Sequence, residues 1–260
     1  MNPTLRRECQ YIVQAAREYG SRGGEYQKQV VHLDNIPGAG VYVRDSGRIQ
    51  RRIPPQARVL DWGCGFGQVA WLLANRGHQV SACDWSRRPN TTAFLDERIS
   101  YFPLTGPVHI DVPDASFDVV VSSGTLEHVD NILNSLQEIR RILTPTGWFV
   151  IFRFPNEYSI SEQIAQRSGR WAHSVRMTKA ELQFLLRMVS FRVAEIGYDS
   201  FLPIFLGYRL RALRPWRARW DRELTMVDRM LTHLPVISAF STSIYCFAQV
   251  NAEYNDVAQV

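Results

Sequence analysis

The chain has 260 residues, 45% hydrophobic and 21% charged, with a net charge of +5. That length suits one large α/β domain plus a small cap, and the composition is that of an ordinary globular protein. The charge is almost all arginine, with Lys28 and Lys179 the only lysines, so it selects no partner by itself.

Residues 5–19 read as an amphipathic helix, with Leu5, Ile12, Ala15, Ala16 and Tyr19 at helical spacing. With Arg6, Arg7 and Glu8 near its start, no secretory leader is expected, and no run of roughly 18 apolar residues follows that would span a bilayer. A cytoplasmic location, with an allowance for peripheral membrane contact, is the expectation. Residues 20–56 carry Gly, Pro and Arg without a clear period and read as a loop-rich approach or flap, which Pro54-Pro55 closes.

From Ala57 the pattern alternates regularly. Arg58 to Asp61 make a short apolar strand, and Gly67 to Arg76 a helix that Gly77 ends. Gln79 to Asp84 form a second strand, Arg87 to Arg98 a second helix, and Ile99 to Phe102 a third strand. Phe117 to Ser122 is a continuous apolar run, as expected of a central parallel strand covered on both faces. Asp130-Asn131 resembles a cap, and Ile132, Leu133, Leu136, Ile139 and Leu143 after it give a helical stripe. Trp148 to Phe154, Phe191 to Gly197 and Thr242 to Val250 are further strands, with a helix over Lys179 to Val189. Such alternation implies a doubly wound, parallel, Rossmann-like α/β sheet with right-handed crossovers.

The chemistry-bearing motif is the turn Asp61-Trp62-Gly63-Cys64-Gly65-Phe66-Gly67 between the first strand and its helix. Glycines there let the backbone turn tightly and approach a ligand, and Asp84 ends the next strand about 20 residues on, where a carboxylate can accept ribose hydroxyls. The four cysteines, Cys9, Cys64, Cys83 and Cys246, form no CxxC pair, and no two histidines are spaced HxxxH. Buried reduced thiols and no metal site are expected.

The segment VLDWGCGFGQVAWLLANRGHQVSACDWS resembles the first motif and following strand of class I S-adenosylmethionine-dependent methyltransferases. SFDVVVSSGTLEHVDN is similar to their fourth-strand motif, nearest the small-molecule branch with the ubiquinone and menaquinone methyltransferases. RRILTPTGWFVI resembles the helix, turn and fifth strand that read R-x-L-K-P-G-G there, with Thr146 in place of a glycine. The resemblance covers residues 57–154 and implies a seven-stranded sheet with S-adenosyl-L-methionine as cofactor. It implies that Asp61, Gly63, Cys64, Gly65 and Gly67 lie at the methionine end, that Asp84 holds the ribose, and that Trp85 packs on adenine. Ser123 and Gly124 would lie near the amino-acid carboxylate or the methyl group. The family's adenine-binding Asp position falls on Gly106, so backbone around Leu104, Thr105 and Gly106 would hold the adenine edge.

A nicotinamide-binding fold is the nearest competitor. A dinucleotide fingerprint wants its third glycine where Gln68 stands, and Asp61 would face a pyrophosphate with like charge. A non-catalytic relative keeping the fold as a binding scaffold is a further alternative, disfavoured by the intact turn and Asp84.

If the methyl acceptor is a hydroxyl, a base is useful. His128, just past the fourth strand, is the first candidate, since an imidazole titrates near neutrality. His173, in the segment after the fifth strand, is the second. A structural role for either histidine is the plain alternative.

A cap of about 40 residues, 201–240, precedes the last strand, long enough to need structure of its own. It runs from apolar Phe201 to Leu206 into Arg209, Arg211, Arg214, Arg217, Arg219 and Arg222, with Trp216 and Trp220 among them. Aromatics beside arginines suit a membrane surface or a lipid-linked acceptor through 201–222, or simply a solvated outer face of the cap. No RNA-binding module is recognisable, and nucleic acid is not expected. The chain therefore divides into an N-terminal helix and flap (1–56), a cofactor-binding core (57–200), the cap, and the last strand with its tail (241–260). The expected function is methyl transfer to a small molecule by in-line displacement, first at an oxygen of a glycan, glycolipid or quinone-like intermediate, with nitrogen and carbon acceptors open since all use the same cofactor site.

Overall fold

The computed structural model describes residues 3–85, 94, 97–169, 173–201, 216 and 219–251. Helix α1 (Pro3–Gly20) buries Cys9, Ile12, Val13, Ala16 and Tyr19, the stripe its sequence period demands. Residues 20–56 are not the loop-rich flap their composition suggests. They form α2 (Gly24–Val30) and α3 (Ile36–Gln50). The local causes are specific. The Asn35 side chain caps α3 by accepting the Gly38 amide at 2.9 Å, and Pro37 occupies the first turn, where its missing N–H costs nothing. A Cβ at Gly38 would overlap the His32 carbonyl. That glycine is therefore a requirement of close packing, although it disguises the helix in the sequence.

The core elements follow in order: β1 (Arg58–Trp62), α4 (Gln68–Ala74), β2 (Gln79–Asp84), β3 (Ile99–Pro103), β4 (Phe117–Ser123) and α5 (Ile132–Ile142). Then come β5 (Leu143–Pro155), α6 (Ile160–Arg167), α7 (Lys179–Met188), β6 (Phe191–Asp199), α8 (Asp221–His233), α9 (Pro235–Ser238) and β7 (Ser243–Val250). The sheet order is β3-β2-β1-β4-β5-β7-β6. The sheet is not wholly parallel, because β7 runs antiparallel to both β5 and β6. β7 pairs between β5 and β6, and its almost continuously buried run reads alike in either direction. Most of the helix expected over Arg87 to Arg98 lies outside the described residues, as does most of the stretch from Phe201 to Arg217.

Two apolar clusters cover the two sheet faces. One joins α1, α3 and α4 to Val59, Val119, Val121 and Val150. The other joins α5 and α7 to Leu60, Val120, Phe149 and Ile151. Successive strand residues go to opposite clusters, as the strand period of two requires. The N-terminal helices belong to the first cluster: Tyr11 stacks on Trp71 of α4 at 4.4 Å, and Arg76 pairs with Glu8 at 3.0 Å. None of the described helices is long and apolar enough to cross a membrane.

Candidate active site

The carboxyl ends of β1, β2 and β4 converge on the glycine turn. Gly63, Gly65 and Gly67 all have positive φ (69°, 56° and 85°), a region that costs a side-chain-bearing residue roughly 1–2 kcal/mol. The amides of Gly63 and Cys64 both donate to the Cys83 carbonyl, at 2.9 and 3.0 Å, which welds the turn to the end of β2. A Cβ at Gly65 would meet no heavy atom within 4 Å, so the turn is an open cradle there.

Asp84 sits beside that cradle. One carboxylate oxygen accepts the Gly65 amide at 2.7 Å, and the other accepts the Trp85 amide at 2.7 Å. Each oxygen has a second lone pair for a further donor. The Trp85 indole is 58% exposed, a large apolar face held next to an acidic acceptor. Thr105 is exposed and Gly106 half-buried, and the β3 exit is tied to the site by the Leu104 amide, which donates to the Asp84 carbonyl at 3.0 Å.

Asp61 and Cys64 lie differently from the glycines. The Asp61 carboxylate is buried and accepts the Ala70 amide of α4 at 3.0 Å. Burial pushes its pKa up to about 7 against the lowering effect of that amide. It anchors the helix under the turn, so its side chain does not line the open cradle. The Cys64 thiol is buried and pushed up by desolvation, which leaves only its backbone to face a ligand.

At the end of β4, Ser123 Oγ accepts Arg153 Nη1 at 2.9 Å, and Gly124 turns with φ 73°. Arg153 lies at the β5 register shift between Ile151 and Phe154, with φ 60°, and its Nη2 pairs with buried Asp45 of α3 at 3.0 Å. Burial raises the Asp45 pKa to about 6, against the pull of Arg153. The N-terminal helices thus reach the site edge through a charged pair that composition does not reveal.

The two histidines, from separate segments, meet. Their ring centroids lie 5.5 Å apart. His128 ends a short 3-10 turn, Leu126–His128, and its side chain is half exposed. Burial, and then the charge of His173, push its pKa below the ordinary 6.5. His173 Nδ1 lies 3.0 Å from Glu162 Oε1, and its amide donates to Glu162 Oε2 at 2.9 Å. Beneath them Glu127 is buried, and desolvation pushes it up to about 7 despite its backbone bond and the charges of His173 and Arg153. Donor atoms of Glu127, His128 and His173 all lie within 4.8 Å of one another, a spacing that a metal ion could bridge. Neither Glu127 nor Glu162 is among the candidates that the sequence offers. The signal for the first was its place between a buried Leu126 and His128. Ser159-x-x-Glu162 reads as a plain helix cap, which hides the second.

The histidine pair is joined to the glycine turn through Thr125, whose Oγ1 donates to the Gly63 carbonyl at 3.2 Å. A carboxylate beside an open glycine cradle, a flanking indole and an imidazole pair thus share one sheet edge. That is the edge where ligands bind in open α/β sheets.

Residues 60–151 match the family model described as "Methyltransferase domain". The Ubiquinone biosynthesis O-methyltransferase of Vibrio cholerae is 33% identical over 95 residues, 35% of this chain and 39% of that protein. The chain thus matches about two fifths of that relative's length. The Pseudomonas aeruginosa protein of the same name is 28% identical over 167 residues, covering 59% of this chain and 72% of its own. Among solved structures, Burkholderia thailandensis 1,6-didemethyltoxoflavin-N1-methyltransferase, with bound 1,6-didemethyltoxoflavin and S-adenosylhomocysteine, is similar with a TM-score of 0.52 and 20% identity. That likeness covers 81% of this chain and 78% of that one, and shows the fold. Residues 60–151 are thus similar to a methyltransferase domain, and the strand order and the glycine turn are in keeping with that match.

Proposed function

We propose that the chain transfers a methyl group from S-adenosylmethionine to an oxygen of a small, quinone-like aromatic acceptor that carries an apolar tail. The observation that carries this reading is the imidazole pair, His128 and His173, placed beside the glycine turn. A hydroxyl acceptor must lose a proton as it is methylated, and an imidazole placed beside it can take that proton.

The residues present fit the cofactor. Asp84 would accept the ribose hydroxyls with the lone pairs its two amide bonds leave, and Trp85 would cover the adenine with the backbone of Thr105 and Gly106. The backbone of Gly63, Cys64, Gly65 and Gly67 would line the methionine end, with Asp61 holding the turn from below. Ser123 and Gly124 would border the carboxylate. When bound, the cofactor supplies an electrophilic methyl on a sulfonium, so its departure needs no acid. The chain must align the acceptor, worth about 7–11 kcal/mol in ideal cases, and take its proton. His128, neutral at pH 7 because of burial and His173, is the proposed base.

An acceptor with an apolar tail is supported by exposed apolar side chains on the segments between β5 and β7: Ile160 and Ile164 on α6, Met226 and Met230 on α8, and Val236 on α9. The Ile160 amide bonds to the Phe240 carbonyl at 3.4 Å, so α6 and the end of the cap are neighbours. Trp216 and Trp220 are also exposed, while most of the arginine-rich stretch lies outside the described residues. The names of the relatives, both ubiquinone biosynthesis O-methyltransferases, support the same acceptor class.

The test is calorimetry with S-adenosylmethionine and S-adenosylhomocysteine, beside NAD(H), followed by methylation assays on catechol and on catechols with lengthening alkyl chains. Adenosyl binding with turnover that improves with chain length is expected. Preference for a glycan or glycolipid would replace the acceptor, and binding of NAD(H) instead would overturn the cofactor.

A further inference from the structure

Helices α6 and α7 begin with the same sequence device used in two ways. At α7, Thr178 caps the amide of Glu181, and the Glu181 carboxylate returns to the Thr178 amide at 2.8 Å, closing a reciprocal box. At α6, Ser159 likewise caps the amide of Glu162 at 3.2 Å. The Glu162 carboxylate, however, does not return. The Ser159 amide already donates to the Asn156 carbonyl at 3.0 Å, so the helix start is satisfied without it. Glu162 instead spends both oxygens on His173, one on ring Nδ1 at 3.0 Å and one on the main-chain amide at 2.9 Å.

The consequence concerns the histidine tautomer. A carboxylate acceptor at Nδ1 requires the proton there, which leaves the lone pair of a neutral ring on Nε2, the nitrogen away from Glu162. We propose that Glu162 is a positioning residue for proton removal: it fixes His173 as the Nδ1–H tautomer, so that Nε2 is the second proton acceptor of the imidazole pair. The inference rests on the methyl-transfer reading above. In the step it serves, the acceptor O–H bond breaks, and its proton passes to an imidazole nitrogen of the pair. The oxygen forms its new bond to the methyl carbon as the sulfur keeps the electron pair of the broken carbon–sulfur bond. Glu162 remains ionised throughout. Burial pushes it up, but the ring bond, the amide bond and the nearby charges of His173 and Arg176 outweigh burial and hold its pKa low.

The experiment is nitrogen-15 imidazole NMR of the full chain after chelator treatment, with the His173 signals assigned by their loss in His173→Gln. The wild type should show Nδ1 protonated and Nε2 bare in the neutral ring. Glu162→Gln keeps the size and an acceptor oxygen but removes the charge, and should shift the ring to a mixture of tautomers. A protonated Nε2 in the wild type, or identical tautomers in the two proteins, would overturn the proposal. A purely structural Glu162 would change stability in this variant without moving the tautomer. S-adenosylhomocysteine binding is measured on both proteins and should be equal. Its absence from both would overturn the methyl-transfer reading separately, since the tautomer is read without any ligand.

Discussion

Thr125 and Gly63 hold the two halves of the site together: the threonine hydroxyl donates to the glycine carbonyl at 3.2 Å, and the threonine side chain fills the space a Cβ on Gly63 would need. Gly63→Ala therefore meets two obstacles, a φ of 69° and a collision with Thr125. The expected loss is roughly 2–4 kcal/mol of stability, from left-handed backbone and overpacking together. Urea denaturation measures it, and Thr125→Gly in the same chain should recover the collision part but not the backbone part. Gly65→Ala is the control, because its Cβ would enter open space. It should cost about 1–2 kcal/mol of stability from φ alone, and more in S-adenosylhomocysteine affinity.

Asp84 and Trp85 should separate by the part of the cofactor they hold. Asp84→Ala removes the acceptor for the Gly65 amide and the proposed acceptor for ribose. Hydrogen bonds to a charged group are worth about 1.5–3 kcal/mol each, so affinity should fall about tenfold to several hundredfold. Trp85→Ala removes an exposed indole and should leave thermal stability nearly unchanged, while stacking worth about 1–3 kcal/mol is lost from binding. Equal affinity for S-adenosylhomocysteine in wild type and Trp85→Ala would take Trp85 out of the site.

The strands and the glycine turn were legible because strand period, burial and turn chemistry all point the same way there. Gln79–Asp84 is a strand with the same bounds in sequence and structure. The segment 20–56 was not legible, since Gly38, Gly40 and Gly47 break the apolar period of α3, and the packing reason for Gly38 is a distant carbonyl. The direction of β7 was hidden too, because a continuously buried apolar run carries no direction. Within the site, the sequence supplied His128 and His173 as separate candidates. Their meeting depends on how the chain returns after β5, which no local pattern encodes. Asp45 and Arg153 illustrate the same limit: a salt bridge between residues more than 100 positions apart leaves no trace in either neighbourhood.

His128→Ala should lower turnover on a catechol acceptor by about 100-fold or more, the usual range for a general base, and leave S-adenosylhomocysteine affinity within twofold. The wild-type rate should fall on the acid side with a midpoint below pH 6.5, because burial and the charge of His173 both favour neutral His128. Replacing His173 by Asn removes the second of these causes, so the midpoint should move up toward the ordinary histidine value. A downward movement would reverse the sign of the coupling between the rings and discard the pair as the base.

Glu127 offers a test that needs neither cofactor nor acceptor. Its pKa rises from 4.5 to about 7 on folding, chiefly through burial. A carboxyl raised in this way favours the folded state when protonated. Its contribution is fully present below the unfolded pKa and is lost as pH rises through the folded one. The window is therefore pH 4.5 to about 7, and the full loss is on the order of 3 kcal/mol. Glu127→Gln keeps the shape and cannot ionise. Its stability relative to wild type should improve by about 2 kcal/mol between pH 5 and pH 8, read from urea midpoints at each pH. Asp61 and Asp45 are also raised, but they are common to both proteins and cancel in the difference. A difference that does not change with pH would mean that Glu127 ionises normally. The carboxylate beneath the histidines would then be charged at neutral pH, and His128 would be a stronger base than the geometry implies.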